Sequence, residues 1–493
     1  MLKRFFNAEV KPHKDAWFVI GCVLIFGLLR LPSLSEPYWY GDEGIYQVIG
    51  KAIQDGRVLY QDIWDNKPPL LYYIYALFNG EQFFVRLFSF ILGGLSVIAF
   101  YFLGKKIFQK KISVIVSTTV YALFFGLPII EGNIANAENI MHLPILVSAL
   151  LLFFYLEKRR EIYIVLSGVI LSFAFAIKIV AIFEFSAFII FLFLFKNPSF
   201  KIAKIHQFLN FKKMQAELLF FVGFISLLGV FGFYFFLLHA FPDFLSGVFS
   251  ENIDYVGAGN NLVFPMGILF IKIAILVGVV CGIYIWRKKL TKAELFIFLW
   301  LAFGLFSTFF SQRAYLHYVL MSLIPVCLLI GNIIDSPMNR IGKIIVLFGV
   351  LGILYFNFGI YKKTISYYGN YFAFITNDKP IGKYQAFFDS NTPRDYELAR
   401  FIRELKEEGE TVFVWTDSAQ IYALSETLPP GKYIVAYHIT YYNNAIDTMR
   451  EKVLEQNPRY IIKTKDSKEL NMIIPSYSLK YRISDASIYE RQN

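Results

Sequence analysis

The sequence predicts a mainly α protein: a polytopic bundle of about eleven membrane-spanning helices followed by a small extracytoplasmic α/β domain. Three observations predict it. Of 493 residues, 56% are hydrophobic and only 17% charged, with a mean hydropathy of +0.51. A soluble chain carries about a quarter charged residues. Several apolar runs reach the ~20 residues that cross a bilayer. Basic residues collect between those runs, in "GKKIFQKK", "EKRRE", "KNPSFKIAKIHQFLNFKK" and "WRKKLTKAE", as the positive-inside rule requires. The net charge of +11 therefore belongs to topology and is no signature of nucleic-acid binding.

With the basic segments inside, the N-terminus is cytoplasmic. The first apolar run lacks a small-residue cleavage site and is followed by many more, so it reads as a helix and not as a signal peptide. Spans fall at 16–31, 84–104, 112–130, 143–156, 162–177, 182–195, 217–238, 265–285, 295–310, 316–334 and 344–360. The odd number puts the C-terminus outside. Residues 1–360 form a transmembrane domain with a long outer loop at 32–82, and residues 361–493 form the second domain. In that tail, "TPRDYELARFIRELKEEGE" reads as an amphipathic helix with Thr392 as cap and Pro393 at its first position. "TVFVW" and "RYIIKT" read as strands and "AIDTMREKVLEQNP" as a helix, an alternation that suggests α/β structure. Cys22, Cys281 and Cys327 lie in apolar runs without metal-site or disulfide spacing and read as small core residues.

The outer loop carries the first candidates for chemistry. In "YWYGDEGIYQVIGKAIQDG", residues Ile45, Val48, Ile49, Ala52 and Ile53 form one apolar stripe on a helix that Gly56 can end. Short and amphipathic, it is expected to lie along the membrane surface. Asp42 and Glu43 stand at its start. Acids there cap free N–H groups and suit the helix dipole; the functional reading makes one of them a general base and the other a cation ligand. Lys67 precedes Pro68 and Pro69, which restrict the backbone and present the ammonium in a fixed place for a phosphate; the plain alternative is a snorkelling lysine.

Three further outer segments follow. "EGNIANAENIMHLP" holds Glu131, Asn133, Asn136, Glu138 and His142, with Glu138 the preferred functional residue. Lys178 interrupts an apolar stretch at a hairpin tip, where a charge at membrane depth is a functional hypothesis by default, and Glu184 is placed to pair with it. In "SQRAYLHYVLMSLIP", Arg313 suits two-pronged phosphate binding or an interface anchor, and Tyr315, His317 and Tyr318 follow it. Lys67, Lys178 and Arg313 thus share the outer side with Asp42, Glu43 and Glu138. Cations that grip phosphate and acids that activate a hydroxyl are what transfer from a lipid-phosphate donor needs. There is no G-x-x-x-x-G-K-[ST], G-x-G-x-x-G or H-E-x-x-H, so nucleotide-driven chemistry and a classical zinc hydrolase have no support.

The acidic pair after the first span, "NKPPLLYY", "ANAENIMHLP" and "RAYLHYVLMSLIP" together resemble the GT-C membrane glycosyltransferases. The branch they look like is the protein O-mannosyltransferase, lipid A aminoarabinose transferase and RgtA/B/C/D-like group, over about residues 15–335. The resemblance implies a polyprenyl-phosphate-linked sugar donor, an inverting direct displacement on the outer face of a bacterial or archaeal plasma membrane, and a glycan, lipid or protein acceptor in the cell envelope. Carried onto this chain, it implies Asp42 as base or metal-linked acid with Glu43 as partner, and Lys67, Glu138, Lys178, Arg313, Tyr315 and His317 as substrate-binding residues. Tyr40, Trp64 and Tyr315 are placed to stack on sugar. One departure concerns the metal. The aminoarabinose branch has an acid immediately before the lysine, where this chain has Asn66 with Asp65 one position earlier. A divalent metal ion is therefore left open. A polyprenyl-linked sugar flippase or secondary transporter is the alternative; it would place its charges near mid-membrane within related repeats, and no repeat is visible.

Overall fold

A computed structural model describes residues 12–200, 214–261, 265–359, 362–405, 410–442, 444–465, 470 and 476–492. The basic segment "KNPSFKIAKIHQFLNFKK" lies mostly outside the described residues, as does the "KEEG" end of the amphipathic tail helix.

The first part runs through α1 (Pro12–Arg30), α2 (Gly41–Gln54), α3 (Pro69–Leu77), α4 (Gln82–Ile107), α5 (Lys111–Gly126), α6 (Ala137–Lys158), α7 (Glu161–Ile177), α8 (Ile182–Lys196), α9 (Gln215–Leu237), α10 (Phe241–Leu245), α11 (Glu251–Gly259), α12 (Gly267–Trp286), α13 (Lys292–Phe309), α14 (Leu320–Asp335) and α15 (Arg340–Phe358). Nine of the described apolar helices are long enough to cross a membrane, and α5 and α7 are shorter ones. Each predicted span coincides with one of these helices, because length and hydropathy alone define a segment that satisfies its backbone polar groups in lipid. The core lies among α4, α5, α6, α7, α13 and α14, whereas α12 has only Gly267 buried.

The predicted inner segments meet at one end of the bundle. Asp15 takes Lys111 (2.6 Å) and Lys105 (3.6 Å), Lys106 pairs with Glu157 (2.6 Å), and Asp335 accepts the backbone N–H groups of Gln109 and Lys110. The second part packs on the opposite end. It comprises α16 (Thr364–Ile375), α17 (Ile381–Gln385), α18 (Thr392–Leu405), β1 (Val412–Trp415), α19 (Gln420–Ser425), α20 (Ala436–Tyr441), α21 (Ala445–Gln456), β2 (Tyr460–Lys463), β3 (Tyr477–Ile483) and β4 (Ala486–Arg491). The sheet order is β1-β2-β4-β3, with β1 and β2 parallel and the other pairs antiparallel. β1 and β2 are the predicted strands. β3 and β4 are additional to the predicted strands; β3 alternates apolar and polar residues ("YSLKYRI") and yet lies largely exposed.

Hydrogen bonds fasten the two parts together. Tyr396 accepts from the Tyr38 N–H (3.0 Å), Tyr384 donates to Ser35 O (3.0 Å), and the Trp64 N–H donates to Lys432 O (3.0 Å). α2 lies inside this junction, which corrects its expected place on the membrane surface. Tyr46, Gln47 and Gly50 are buried along with Ile45, Val48, Ile49 and Ala52 of the apolar stripe. The start of the helix meets the second part, where Gln420 donates to Tyr40 O (2.5 Å). On the other side, a Cβ at Gly50 would come within 2.7 Å of the Tyr75 backbone, so α2 and α3 touch main chain to main chain.

Candidate active site

A cavity of about 530 Å³ opens where the bundle meets the second domain. Three separate devices bring its charged groups there. Asp42 sits in the first turn of α2, half-buried, with only long contacts to the Tyr46 hydroxyl (3.5 Å) and Asn136 Nδ2 (3.4 Å). Lys67 is fixed through its backbone: its N–H donates to the Tyr72 hydroxyl (3.0 Å), its carbonyl accepts from Tyr60 (2.6 Å), and Pro68 follows in an extended conformation as the cap of α3. Lys178 is an extended break between α7 and the turn before α8, and there its ammonium pairs with the buried Glu138 at the start of α6.

Arg313 completes the set from the segment between α13 and α14. Its guanidinium lies 4.0 Å from the centre of the Tyr255 ring, and among the described residues it makes no ion pair. Its buried Nε has no hydrogen-bond partner there either. Lys67, by contrast, lies 2.9 Å from Asn66 Oδ1 and 3.7 Å from Asp65. The cavity therefore holds one cation whose charge no neighbouring carboxylate neutralises, beside two that are positioned by carboxylates.

His317 ties the floor together. Its Nδ1 lies 2.8 Å from both the Tyr40 hydroxyl and Glu131, and its Nε2 lies 3.9 Å from Glu138. Glu131 reaches it from a left-handed backbone conformation (φ +58°) after the short turn at Pro128–Ile130. A non-glycine residue there stores roughly 1 kcal/mol or more of strain, which the Tyr40 and His317 contacts hold in place.

Of the predicted site residues, Asp42, Lys67, Lys178, Arg313, Tyr315 and His317 line this cavity. Glu138 stands just behind it, lining a narrow extension of about 50 Å³. That extension shares Asn66, Lys67, Lys178, Tyr255 and Tyr318 with the cavity and continues along apolar Ile179, Val180, Val256, Phe310 and Met321. Three expectations need correction. Glu43 turns away into the protein, where Arg86 Nη2 (2.5 Å) and the Ala135 N–H (2.5 Å) bind it; it does not reach the cavity. Trp64 is buried against Tyr433, His438 and Tyr442 and has no free face for sugar. Glu184 does not pair with Lys178, because Glu138 already does; its Oε2 has no partner among the described residues.

The sequence reading missed the wall supplied by the second domain. Tyr437, His438, Thr440, Tyr441 and Tyr442, from α20 and the residue after it, close one side of the cavity. The signal was the run "YHITYY", dense in aromatic rings within an otherwise polar tail. Asp65 is the second omission. It is buried, accepts from Tyr72 (2.8 Å) and lies 3.9 Å from His438 Nε2. Burial acts to raise its pKa, but Lys67 and the Tyr72 hydroxyl bring it below the ordinary aspartate value. For Lys67, burial acts downward, and Asp65 and Asp42 outweigh it so that the ammonium is held firmly protonated. Asp42 and Asp65 both face the cavity, yet among the described residues no three His, Cys, Asp or Glu side chains converge to hold an ion.

His438 yields a pH prediction. Burial lowers its pKa to about 4 against the opposing pull of Asp65, Asp42 and Asp417, with Lys67 adding to the lowering. The folded state thus refuses a proton that the unfolded chain accepts near pH 6.5. This contribution is constant above pH 6.5 and is lost as pH falls from there toward 4. Asp65, whose pKa lies lower still, adds its loss only below its ordinary value. Thermal unfolding in detergent should therefore shift to lower temperature between pH 6.5 and 4, with a shallower slope in His438→Gln. An unchanged slope in that variant would rule His438 out as the group responsible.

Residues 66–223 match the family described as dolichyl-phosphate-mannose-protein mannosyltransferase. A comparison with curated proteins finds no match. Among solved structures, the chain is similar to the archaeal oligosaccharyltransferase AglB from Archaeoglobus fulgidus in complex with an inhibitory peptide and a dolichol-phosphate, at 12% identity and a TM-score of 0.46, covering 93% of this chain and 70% of that one. It is also similar to the Archaeoglobus fulgidus oligosaccharyltransferase tethered to an acceptor peptide, at 12% identity and a TM-score of 0.43, covering 92% and 69%. The matched residues include Lys67 and Lys178 of the cavity wall and Glu138 behind it.

Proposed function

We propose that the chain moves a sugar from a polyprenyl-phosphate donor to an acceptor hydroxyl in the cell envelope, on the outer face of the membrane. One observation carries this reading: Asp42 shares a single cavity with Lys67, Lys178 and Arg313. The acceptor oxygen attacks the anomeric carbon from the side opposite the phosphate. The bond from that carbon to the phosphate oxygen breaks, the electron pair leaves with the polyprenyl phosphate, and the acceptor's proton passes to Asp42. The anomeric centre inverts.

Charge develops on the leaving phosphate, and Arg313 is the cation free to meet it, with Lys67 and Lys178 beside it. The apolar extension past Lys178 suits a phosphate that arrives on a lipid chain. Tyr315 and the α20 tyrosines present rings to the sugar, and the envelope acceptor is a glycan, lipid or protein.

Purified protein given a panel of polyprenyl-phosphate sugars tests the reading directly, with product configuration read by NMR. Product that retains the donor's anomeric configuration would overturn the direct displacement, and lipid movement in vesicles without transfer would overturn the enzyme reading. Arg313→Ala should lower kcat/KM by about 10²- to 10³-fold, the size seen on losing one preorganised donor to a developing anion. Arg313→Lys should recover only part of it, since the charge returns without the planar fork. A kcat/KM within threefold of wild type in Arg313→Ala would remove Arg313 from the phosphate.

A further inference from the structure

A second recess, of about 410 Å³, lies behind the wall of the cavity. The two share one stretch of backbone. Tyr40 and Asp42 line the cavity, whereas Trp39 and Gly41 line the recess. Gly41 is exposed and a Cβ there would meet nothing within 4 Å, so the partition bears no side chain at that point. A second link runs through Asp417, which lines the recess and accepts the backbone N–H of Tyr437 on the cavity side (3.1 Å).

The rest of the recess sits where an α/β sheet offers a binding site. Thr416 and Asp417 follow β1, and Thr464 and Lys465 follow the parallel β2, so the carboxyl ends of both strands face it. Its volume lies within the ordinary range for small-ligand sites, about 300–1,000 Å³.

Its lining specifies the ligand's chemistry. Both cations are already taken: Arg394 holds Asp395 (2.8 Å) and Asp485 (3.0 Å), and Lys465 holds Asp417 (2.7 Å). Among the described residues of the recess, no unpaired cation is left for a phosphate or carboxylate. Asp389 is exposed, with only the Asn391 N–H on its Oδ1 (2.8 Å). Thr392 is just 2% exposed and lines the recess, and its hydroxyl makes no hydrogen bond among the described residues. Trp39 adds an aromatic wall, its indole N–H held by Glu36 (2.7 Å) and its ring against Phe388 (5.7 Å). Carboxylates and a hydroxyl that accept from sugar hydroxyls, beside a ring for an apolar sugar face, suit a glycan without negative charge.

We propose that this recess holds the part of a glycan acceptor beyond its reacting sugar, and that the glycan is neutral or amino-bearing. The assignment as acceptor rests on the glycosyltransferase reading above, and the binding of glycan at the recess does not.

The test uses the full chain in nanodiscs and three probes: cellotetraose, its amino-sugar counterpart chitosan tetramer, and tetragalacturonate. Binding is read by saturation-transfer NMR. The first two should bind, and tetragalacturonate at least about tenfold more weakly. Asp389→Asn and Thr392→Val should each weaken binding about three- to tenfold, the value of one hydrogen bond, and Trp39→Ala should weaken it further. Lys67→Ala, in the cavity, should abolish transfer and leave probe binding unchanged. No binding of any probe to wild type, equal binding to both Asp389→Asn and Thr392→Val, or tightest binding of tetragalacturonate would overturn the proposal. Probe binding without transfer from any lipid-linked sugar would instead sink the enzyme reading and leave a glycan site.

Discussion

Asn in place of Asp42 is expected to cut transfer by about 10²- to 10⁴-fold, the usual contribution of a positioned general base. The amide has the same size and keeps the long contacts to Tyr46 and Asn136, which hold little structure. Thermal unfolding should therefore match wild type, and KM for the donor should stay close, because the proposed mechanism assigns the phosphate to Arg313 and the lysines and not to Asp42. Loss should appear in kcat. Full transfer by stably folded Asp42→Asn would remove Asp42 from the base role. The adjacent Glu43 makes the contrast, since its carboxylate is only 1% exposed and faces the opposite way.

Arg86→Met is expected to destabilise the protein by about 3–5 kcal/mol, the cost of leaving buried charge without its partner. Arg86 donates to Glu43 (2.5 Å), Glu36 (2.9 Å) and Ser33 O (2.7 Å). Glu36 also accepts from Tyr367 (2.5 Å), Asn133 (2.8 Å) and Trp39 (2.7 Å). This network joins α4 to α2, to the loop before α6 and to α16 of the second domain. Removing the guanidinium leaves two buried carboxylates facing each other. The melting temperature in detergent should fall by many degrees, and Arg86→Lys should restore part of it, because one ammonium cannot bind both acids as the fork does. A melting temperature unchanged in Arg86→Met would show that the network is not what holds the outer loop.

The two predictions separate the neighbouring acids, and the separation shows what could be read from the chain alone. Both stand in the first turn of α2, where the sequence offers a cap, a base or a partner without distinguishing them. Helical geometry turns successive side chains about 100° apart, so only one of the two can face a given wall. Which one does so depends on where Arg86 lies, and Arg86 is 43 residues away in sequence. Lys178 repeats the case. Its hairpin position was legible, but its partner is Glu138 and not the nearer Glu184.

The sequence by itself determined the apolar helices, the two predicted strands of the tail, and most of the polar residues that line the cavity. These follow from local physics: a span is set by length and hydropathy, and its flanks by charge. The tertiary structure alone decided that α2 lies buried in a junction instead of on a membrane, that Asp42 and not Glu43 faces the cations, and that α20 closes the cavity. Each of these depends on contacts between residues far apart in the chain. Such contacts leave no periodic or compositional trace, because they arise only when segments distant in the chain pack together.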